Sequence, residues 1–404
     1  MSQQEDFKAR IKVDEDLSLP RAKLVNGVYI TPFNWKKKAF FEVLQMLRFK
    51  RSSIVFPGVA ENNSLIKSVP VNKLLLSVPH SSDGFADVTW LGHACCLYRA
   101  DGISYITDPV FSQRCSPSQW VGPSRHTPAP CDVLDLHIDI VLLSHTHYDH
   151  LDASTASKLS KNQNILWIVP KGVSVWLADN YGITNVVELN WWETFAYTST
   201  TGETSLITFT PANHWTNRTP WDANTCLWGS YCVKSATSNF YFSGDTAYDK
   251  EVFKIIGRKY GPFNQAAIGI GAYRPRFFMK DNHVNPPEAV QIFKDIRATQ
   301  ALGIHWGTFP LGFEDNLEPA FDLAVAREKA GLSHMQFYTM EHGQTIHAHP
   351  DTPVEAMRGG LSDLVHNHPD LFQFYKNMPK DRSDERDEEE EIIEEKTEAK
   401  ISTN

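Results

Sequence analysis

The chain has 404 residues, 42% of them apolar and 22% charged, a composition that excludes fibrous and wholly disordered classes and gives room for one large core or two medium ones. The formal net charge of −9 is concentrated, because residues 380–400 hold eleven acids against five bases, a local net of −6 that leaves −3 for the rest; nucleic acid is not an expected partner. No run approaches the ~18 apolar residues of a spanning helix, and the opening MSQQEDFKAR lacks the basic and apolar regions of a secretory signal, so an intracellular protein is expected.

Read from the N-terminus, residues 35–51 carry Lys36, Lys37, Lys38, Arg48, Lys50 and Arg51 against Glu42. Phe40, Val43, Leu44 and Leu47 follow the i, i+3, i+4, i+7 spacing of one helix face. Such a basic amphipathic helix either lies in a membrane interface or docks on the main domain with a solvated rim, and the residues favour neither. Strands are predicted at 88–91 and 95–99, and Asp101-Gly102 is a hairpin turn into a strand at 103–107. A buried strand is predicted at 138–143, with Asp152 capping a helix that runs through 160. Further strands are expected at 165–169, 186–189, 206–210, 227–233, 240–243, 266–270 and 299–303, and helices near 173–181, 249–259, 287–296 and 318–329. The pattern, without a fixed-period repeat, suggests two sheets covered by helices. The cysteines Cys95, Cys96, Cys115, Cys131, Cys226 and Cys232 form no C-x-x-C pair and read as reduced, buried thiols. The acidic stretch from about 380 has little to bury and is expected to be disordered.

The chemistry sits where the strands end. The strand at 138–143 is followed by Ser144-His145-Thr146-His147-Tyr148-Asp149-His150. In an extended loop residues i and i+2 point the same way, so His145 and His147 can grip one metal while the following turn aims Asp149 and His150 at a second. Imidazole and carboxylate without thiolate suit zinc, with iron or manganese as alternatives. One loop cannot complete two metal shells. His214, Asp245 and His305 each stand just past a predicted strand, and their ends converge on one rim if those strands point the same way.

The order HTHYDH with a later His, Asp and His resembles the metallo-β-lactamase superfamily. That resemblance implies an α/β fold, an αββα sandwich with a binuclear metal site at one edge. Finer blocks, among them TWLGHA, TDPVFSQRCSPSQWVGPSR, LNWWE, HWTNRT, GDTAY, GPFNQAAIGIGAYRPRFFMKDNHVNPPEAV and IHWGTF, are similar to the N-acylphosphatidylethanolamine-hydrolysing phospholipase D family. The likeness runs from about Pro32 to about His349. It implies a catalytic domain at 86–350 between an N-terminal extension at 1–85, which carries the membrane-contact segment, and a C-terminal extension at 351–404. It also implies a homodimer, peripheral on the cytosolic face of internal membranes. Residue by residue, it implies that His145, His147 and His214 hold one metal, that Asp149, His150 and His305 hold the other, and that Asp245 bridges them. Tyr148 and His283 match positions that contact the lipid substrate.

Two divalent cations offset by Asp149 and Asp245 leave a cationic site suited to an anionic phosphodiester. The expected mechanism has a hydroxide held between two zinc ions attack phosphorus, which releases N-acylethanolamine and leaves phosphatidic acid. His283 either protonates or orients the leaving alkoxide or only binds substrate. Asp108 and His93 are expected beneath the site, Asp108 as the acceptor that orients a metal-bound imidazole. Trp191, Trp192, Trp215, Trp221 and Trp228 could line an acyl channel, though plain core is the commoner fate of such residues. Two other readings stand beside the lipase: a hydrolase of the same fold acting on a soluble substrate, such as a lactonase or nuclease, and a binding protein that has lost catalysis, which the full ligand set disfavours.

Overall fold

The computed structural model describes residues 7–33, 42, 45–46, 48–80, 84, 86–348 and 362–378. Most of the basic segment at 35–51, and the acidic tail, lie outside these residues. Strand β1 (Ile11–Val13) and a hairpin of β2 (Lys23–Val25) and β3 (Val28–Ile30) come first. A first sheet then takes β4 (Ala86–Gly92), β5 (Cys95–Ala100), β6 (Ile103–Thr107), β7 (Ile140–Leu142), β8 (Leu166–Pro170) and β9 (Val186–Leu189) as successive neighbours. The second sheet begins with β1 and continues through β10 (Glu193–Thr198), β11 (Thr204–Thr210), β12 (Ser230–Lys234), β13 (Asn239–Phe242), β14 (Phe263–Gly269), β15 (Ala298–Ile304) and β16 (Phe337–Tyr338). Finally β17 (Thr345–Ala348) pairs with the free edge of β4.

Apolar side chains from the facing surfaces interlock between the sheets. Tyr98 of β5 stacks on Phe240 of β13 at 4.4 Å, and the Tyr231 hydroxyl of β12 donates to the Leu143 carbonyl across the gap at 2.8 Å. Helices cover both outer faces, which makes an αββα sandwich. Leu159 and Leu177, from helices Ala153–Leu159 and Ser174–Tyr181, pack on Val141 and Trp167 of the first sheet. Phe253, Ile292 and Phe321, from Lys250–Lys259, Pro286–Asp295 and Glu318–Ala330, cover the second.

Strand direction places the site. In the first sheet β6, β7, β8 and β9 are parallel. In the second, β13, β14 and β15 are parallel, and β11, reversed twice through β12, points with them. The carboxyl ends of β6, β7, β11, β13 and β15 therefore fall on one rim, as the sequence pattern expects.

The Asp101-Gly102 hairpin is present, with both residues at positive φ (47° and 77°). Six strands escape the sequence pattern, β1, β2, β3, β10, β16 and β17, and two of them show why. The three residues of β1 are too few to show a period, and β10 (ETFAYT) has only Phe195 fully buried. Through β1, the N-terminal residues are knit into the second sheet by pairing with β10.

After residue 361 the chain packs back on the helix Glu318–Ala330. Asp363, 1% exposed, meets Arg327 at 2.8 Å and accepts the Thr339 amide at 3.0 Å. Burial opposes its ionisation, but the Arg327 guanidinium and the amides around it hold the carboxyl below its ordinary value. Its contribution to stability is therefore present above pH ~4 and is lost as pH falls through the lowered folded value. Asp363→Asn strands a buried guanidinium and is expected to cost about 3 kcal/mol. A lower urea midpoint at neutral pH, with the difference from the parent shrinking on acidification, is the result that checks it.

Candidate metal centre

The ligand loop follows β7 directly and is held from both sides. Asp108, at the end of β6, accepts the Ser144 amide at 2.7 Å and the Ser144 hydroxyl at 2.5 Å. Thr216 accepts the Thr146 amide at 2.9 Å, and Arg218 donates to the carbonyls of Thr146 (2.8 Å) and Leu151 (2.9 Å), clamping the loop at both ends. The Arg218 guanidinium also lies over the rings of Tyr148 (4.2 Å) and Trp176 (4.6 Å). Asp152 caps the helix that carries the chain away, accepting the Ser154 amide.

Two groups of donors result. His145 Nε2 is 2.9 Å from His147 Nδ1, and His214 Nε2 is 3.3 Å from the same atom. In the second group, Asp149 Oδ2 stands 3.0 Å from His93 Nε2, 3.3 Å from His150 Nε2 and 3.4 Å from His305 Nε2. Each group keeps one donor atom per residue within 4.8 Å of the others. Asp245 spans the two, with Oδ2 3.1 Å from His150 and 3.8 Å from both His145 and His214, and Oδ1 3.1 Å from His305. All seven residues that the sequence points to are thus brought together. His283 stands beside them, its Nδ1 3.8 Å from Asp245 Oδ2.

Imidazole orientation is set from behind. Asn282 O lies 2.9 Å from His214 Nδ1 and Asp108 Oδ2 lies 2.6 Å from His150 Nδ1, so in each ring the proton sits on Nδ1 and Nε2 is presented to the cluster. The Nε2 atoms of His150 and His305 are buried yet make no aligned hydrogen bond, although carboxylate oxygens lie 3.1 Å away. Donors that crowd one point without pairing fit cations better than they fit each other. Burial, reinforced by the neighbouring imidazoles, holds His145 well below its ordinary value and takes His147 to about 3. His214 is lowered to about 4, chiefly by burial. These three imidazoles are neutral and free to act as donors to a cation. Burial opposes ionisation of Asp149 and Asp245, but His150 and, for Asp245, also His305 hold both carboxyls well below the usual range. Against burial, Asp245 and Asp149 in turn hold His150 well above its ordinary value and raise His305 to about 9, so a cation in the second group would take the place of protons; imidazole nitrogens with ionised carboxylate oxygens fit two divalent cations.

The backbone is strained at the same place. His93 (φ 54°), Asp108 (φ 32°), Ala272 (φ 60°) and His305 (φ 63°) all take left-handed conformations, which non-glycine residues hold only where their surroundings fix them. Glu314, 6% exposed, accepts the amides of Ala272 (2.5 Å) and Arg274 (3.1 Å) and so fixes the strained turn after β14. Arg276 donates to the His283 carbonyl at 2.7 Å and is itself paired with Glu288 at 2.6 Å.

Asp108 and His93 lie under the site as the sequence suggests, and His93 is closer than expected, in contact with Asp149. Arg218 and Glu314 were not anticipated. Arg218 lies inside the HWTNRT block, whereas nothing near Glu314 in the sequence marks it. Of the tryptophans considered for an acyl channel, Trp191, Trp192 and Trp228 are core and Trp221 is 89% exposed; only Trp215 approaches a ligand, its ring 4.7 Å from that of His147. Asp108→Asn is expected to weaken metal affinity about 10- to 100-fold by loosening His150. Competition against a chromophoric chelator measures it, and unchanged affinity would remove Asp108 from the positioning role.

A family model described as a beta-lactamase superfamily domain matches residues 104–306. With the sandwich and its rim of donors, this defines a metal-dependent hydrolase of the metallo-β-lactamase fold. The chain is 40% identical over 296 residues to N-acyl-phosphatidylethanolamine-hydrolyzing phospholipase D 1 of Caenorhabditis elegans, covering 70% of this chain and 82% of that one. It is 38% identical over 260 residues to the mitochondrial N-acyl-phosphatidylethanolamine-hydrolyzing phospholipase D of Saccharomyces cerevisiae, covering 64% of this chain and 55% of that one. The protein belongs to the N-acylphosphatidylethanolamine-hydrolysing phospholipase D family. Among solved structures, an isothiocyanate hydrolase from Delia radicum gut bacteria superposes with a TM-score of 0.50 at 17% identity, over 65% of this chain and 98% of that one, a likeness of fold alone.

Proposed function

We propose that the protein hydrolyses N-acylphosphatidylethanolamine to N-acylethanolamine and phosphatidic acid with two zinc ions. The observation that carries this reading is the pair of donor groups joined by Asp245, set in a chain of this family. His145, His147 and His214 would hold one cation, Asp149, His150 and His305 the other, with Asp245 between them. Zinc bound there supplies Lewis acidity and lowers the pKa of water toward neutrality. The chain's own residues do the rest. Asp108 and Asn282 orient two of the imidazoles, and Asp149 and Asp245 balance the charge so that an anionic phosphodiester is still attracted. His283 borders a cleft lined by Asp245, Thr246, Gly269, Gly271 and His305, where it orients the leaving oxygen, and Tyr148, set under Arg218, contacts the lipid. No helix among the described residues is long and apolar enough to cross a membrane. With a phospholipid substrate this supports a peripheral enzyme on internal membranes, and the family resemblance supports a homodimer.

The test is incubation of purified, metal-replete protein with N-acylphosphatidylethanolamine in mixed vesicles, with mass spectrometry of the products. Phosphatidic acid and N-acylethanolamine, both lost on chelation and restored by zinc, are expected. A metal-loaded protein that leaves the lipid intact would move the assignment to a soluble substrate.

A further inference from the structure

Two tryptophans stand almost wholly in solvent, Trp120 at 90% and Trp221 at 89%, and Val121 beside the first is 66% exposed. Large aromatic side chains left this bare at loop tips carry a cost in water unless something covers them. Both loops spring from the ligand rim. The loop of Trp120 leaves β6 just after Asp108 and is stapled to the metal loop, because Asp152 accepts the amides of Phe111 (3.2 Å) and Ser112 (3.0 Å). Its return is fixed where His126 donates to the Thr308 carbonyl at 2.9 Å, three residues past His305. The loop of Trp221 leaves His214 and is anchored by Arg218 to the metal loop, while Asp222 accepts the amides of Arg218 and Thr219 to shape the tip. The two aromatic tips are therefore held on the two loops that flank the metal centre.

The chemistry of these loops selects the partner. Residues 112–125 include Arg114 and no acid, Arg125 there being buried and bonded to the carbonyls of Val110 and Ser112; the loop of Trp221 includes Arg218 and Asp222, whose carboxylate is engaged by backbone amides. Tryptophan is the side chain best suited to the boundary between acyl chains and headgroups, where its ring is buried and its N–H stays wet; Arg218 is spent on the carbonyls of Thr146 and Leu151, which leaves the partly exposed Arg114 beside Trp120 to meet lipid phosphate.

We infer that Trp120, Val121 and Trp221 insert into the phospholipid bilayer, seating the metal-bearing rim on the membrane so that a lipid phosphodiester reaches the centre without leaving the bilayer completely. The inference rests on the reading that the substrate is a phospholipid, and it places a membrane contact at the rim that is separate from the basic segment at 35–51.

The test uses the full-length, metal-replete protein and the variants Trp120→Ala, Trp221→Ala and their double. Each single variant is expected to weaken sedimentation with phosphatidylcholine vesicles containing phosphatidic acid by about tenfold, the double by more. Lipids brominated along the acyl chain are expected to quench the fluorescence of the parent and to quench the double variant less. Hydrolysis of a short-chain, water-dispersed N-acylphosphatidylethanolamine is expected to stay at the parental rate, while hydrolysis in vesicles falls. Undiminished vesicle binding by the double variant would overturn the inference, as would loss of self-association in sedimentation velocity without loss of lipid binding, which would make the patch a contact between copies. Vesicle binding that depends on both tryptophans in a protein that hydrolyses no lipid would uphold the surface and refute only the substrate.

Discussion

Asp149→Asn is expected to lower turnover by about 10³-fold or more while the far-ultraviolet circular dichroism stays that of the parent. The Asp149 carboxylate is the point on which His93, His150 and His305 converge, at 3.0, 3.3 and 3.4 Å. Asparagine keeps the shape and removes the charge that balances a divalent cation among those imidazoles. Metal analysis of the purified variant should show loss from the second donor group, with His145, His147 and His214 still able to bind. A variant with an undiminished rate would refute the two-cation reading.

Gly271→Ala should be nearly as damaging, for a steric reason. A methyl group at this position would lie 2.1 Å from the His305 carbonyl oxygen and 3.2 Å from the Trp306 Cα. Both neighbours are backbone, so no side chain can swing aside; the strand end bearing His305 has to move instead. The expected cost is about 3 kcal/mol of stability, together with metal loss, because the displaced residue is a proposed ligand. Thermal melts with and without added zinc separate the two effects: a destabilised protein that still binds two cations would show that the close approach serves only packing. Gly271 is followed by Ala272 at φ 60°, so substitution would strike a turn already under strain and held by Glu314.

The candidate ligands that the fold brings together were legible in the sequence because their chemistry is dense and placed just past apolar strands. The HTHYDH run needs no tertiary information to stand out, and His214, Asp245 and His305 each follow a run that could only be a buried strand. What could not be read is whatever depends on the meeting of distant segments. Arg218 acts on carbonyls 72 and 67 residues earlier in the chain, and Glu314 on amides 42 and 40 residues earlier. No periodicity encodes either contact. Strand β10 escaped for another reason: its Glu, Thr and Tyr residues are those of a half-exposed strand, and its one fully buried side chain, Phe195, packs against Phe7 near the N-terminus. The tryptophans failed in the opposite direction. Composition cannot distinguish a core tryptophan such as Trp192, fully buried, from Trp221, and only the fold separates them.

The common rim of strand ends has a thermodynamic corollary. Its donors are drawn from both sheets, and the residues between His145 and His305 include eight strands and four of the covering helices. No fragment of the chain presents the set, so cation affinity exists only in the assembled sandwich and is absent from the unfolded ensemble. Each bound cation then adds RT ln(1 + [metal]/Kd) to the stability of the whole molecule, about 2.7 kcal/mol at a hundredfold excess over Kd. For this protein a chelator is expected to act as a mild denaturant as well as an inhibitor, and the supply of metal in its surroundings to set part of the stability of the fold.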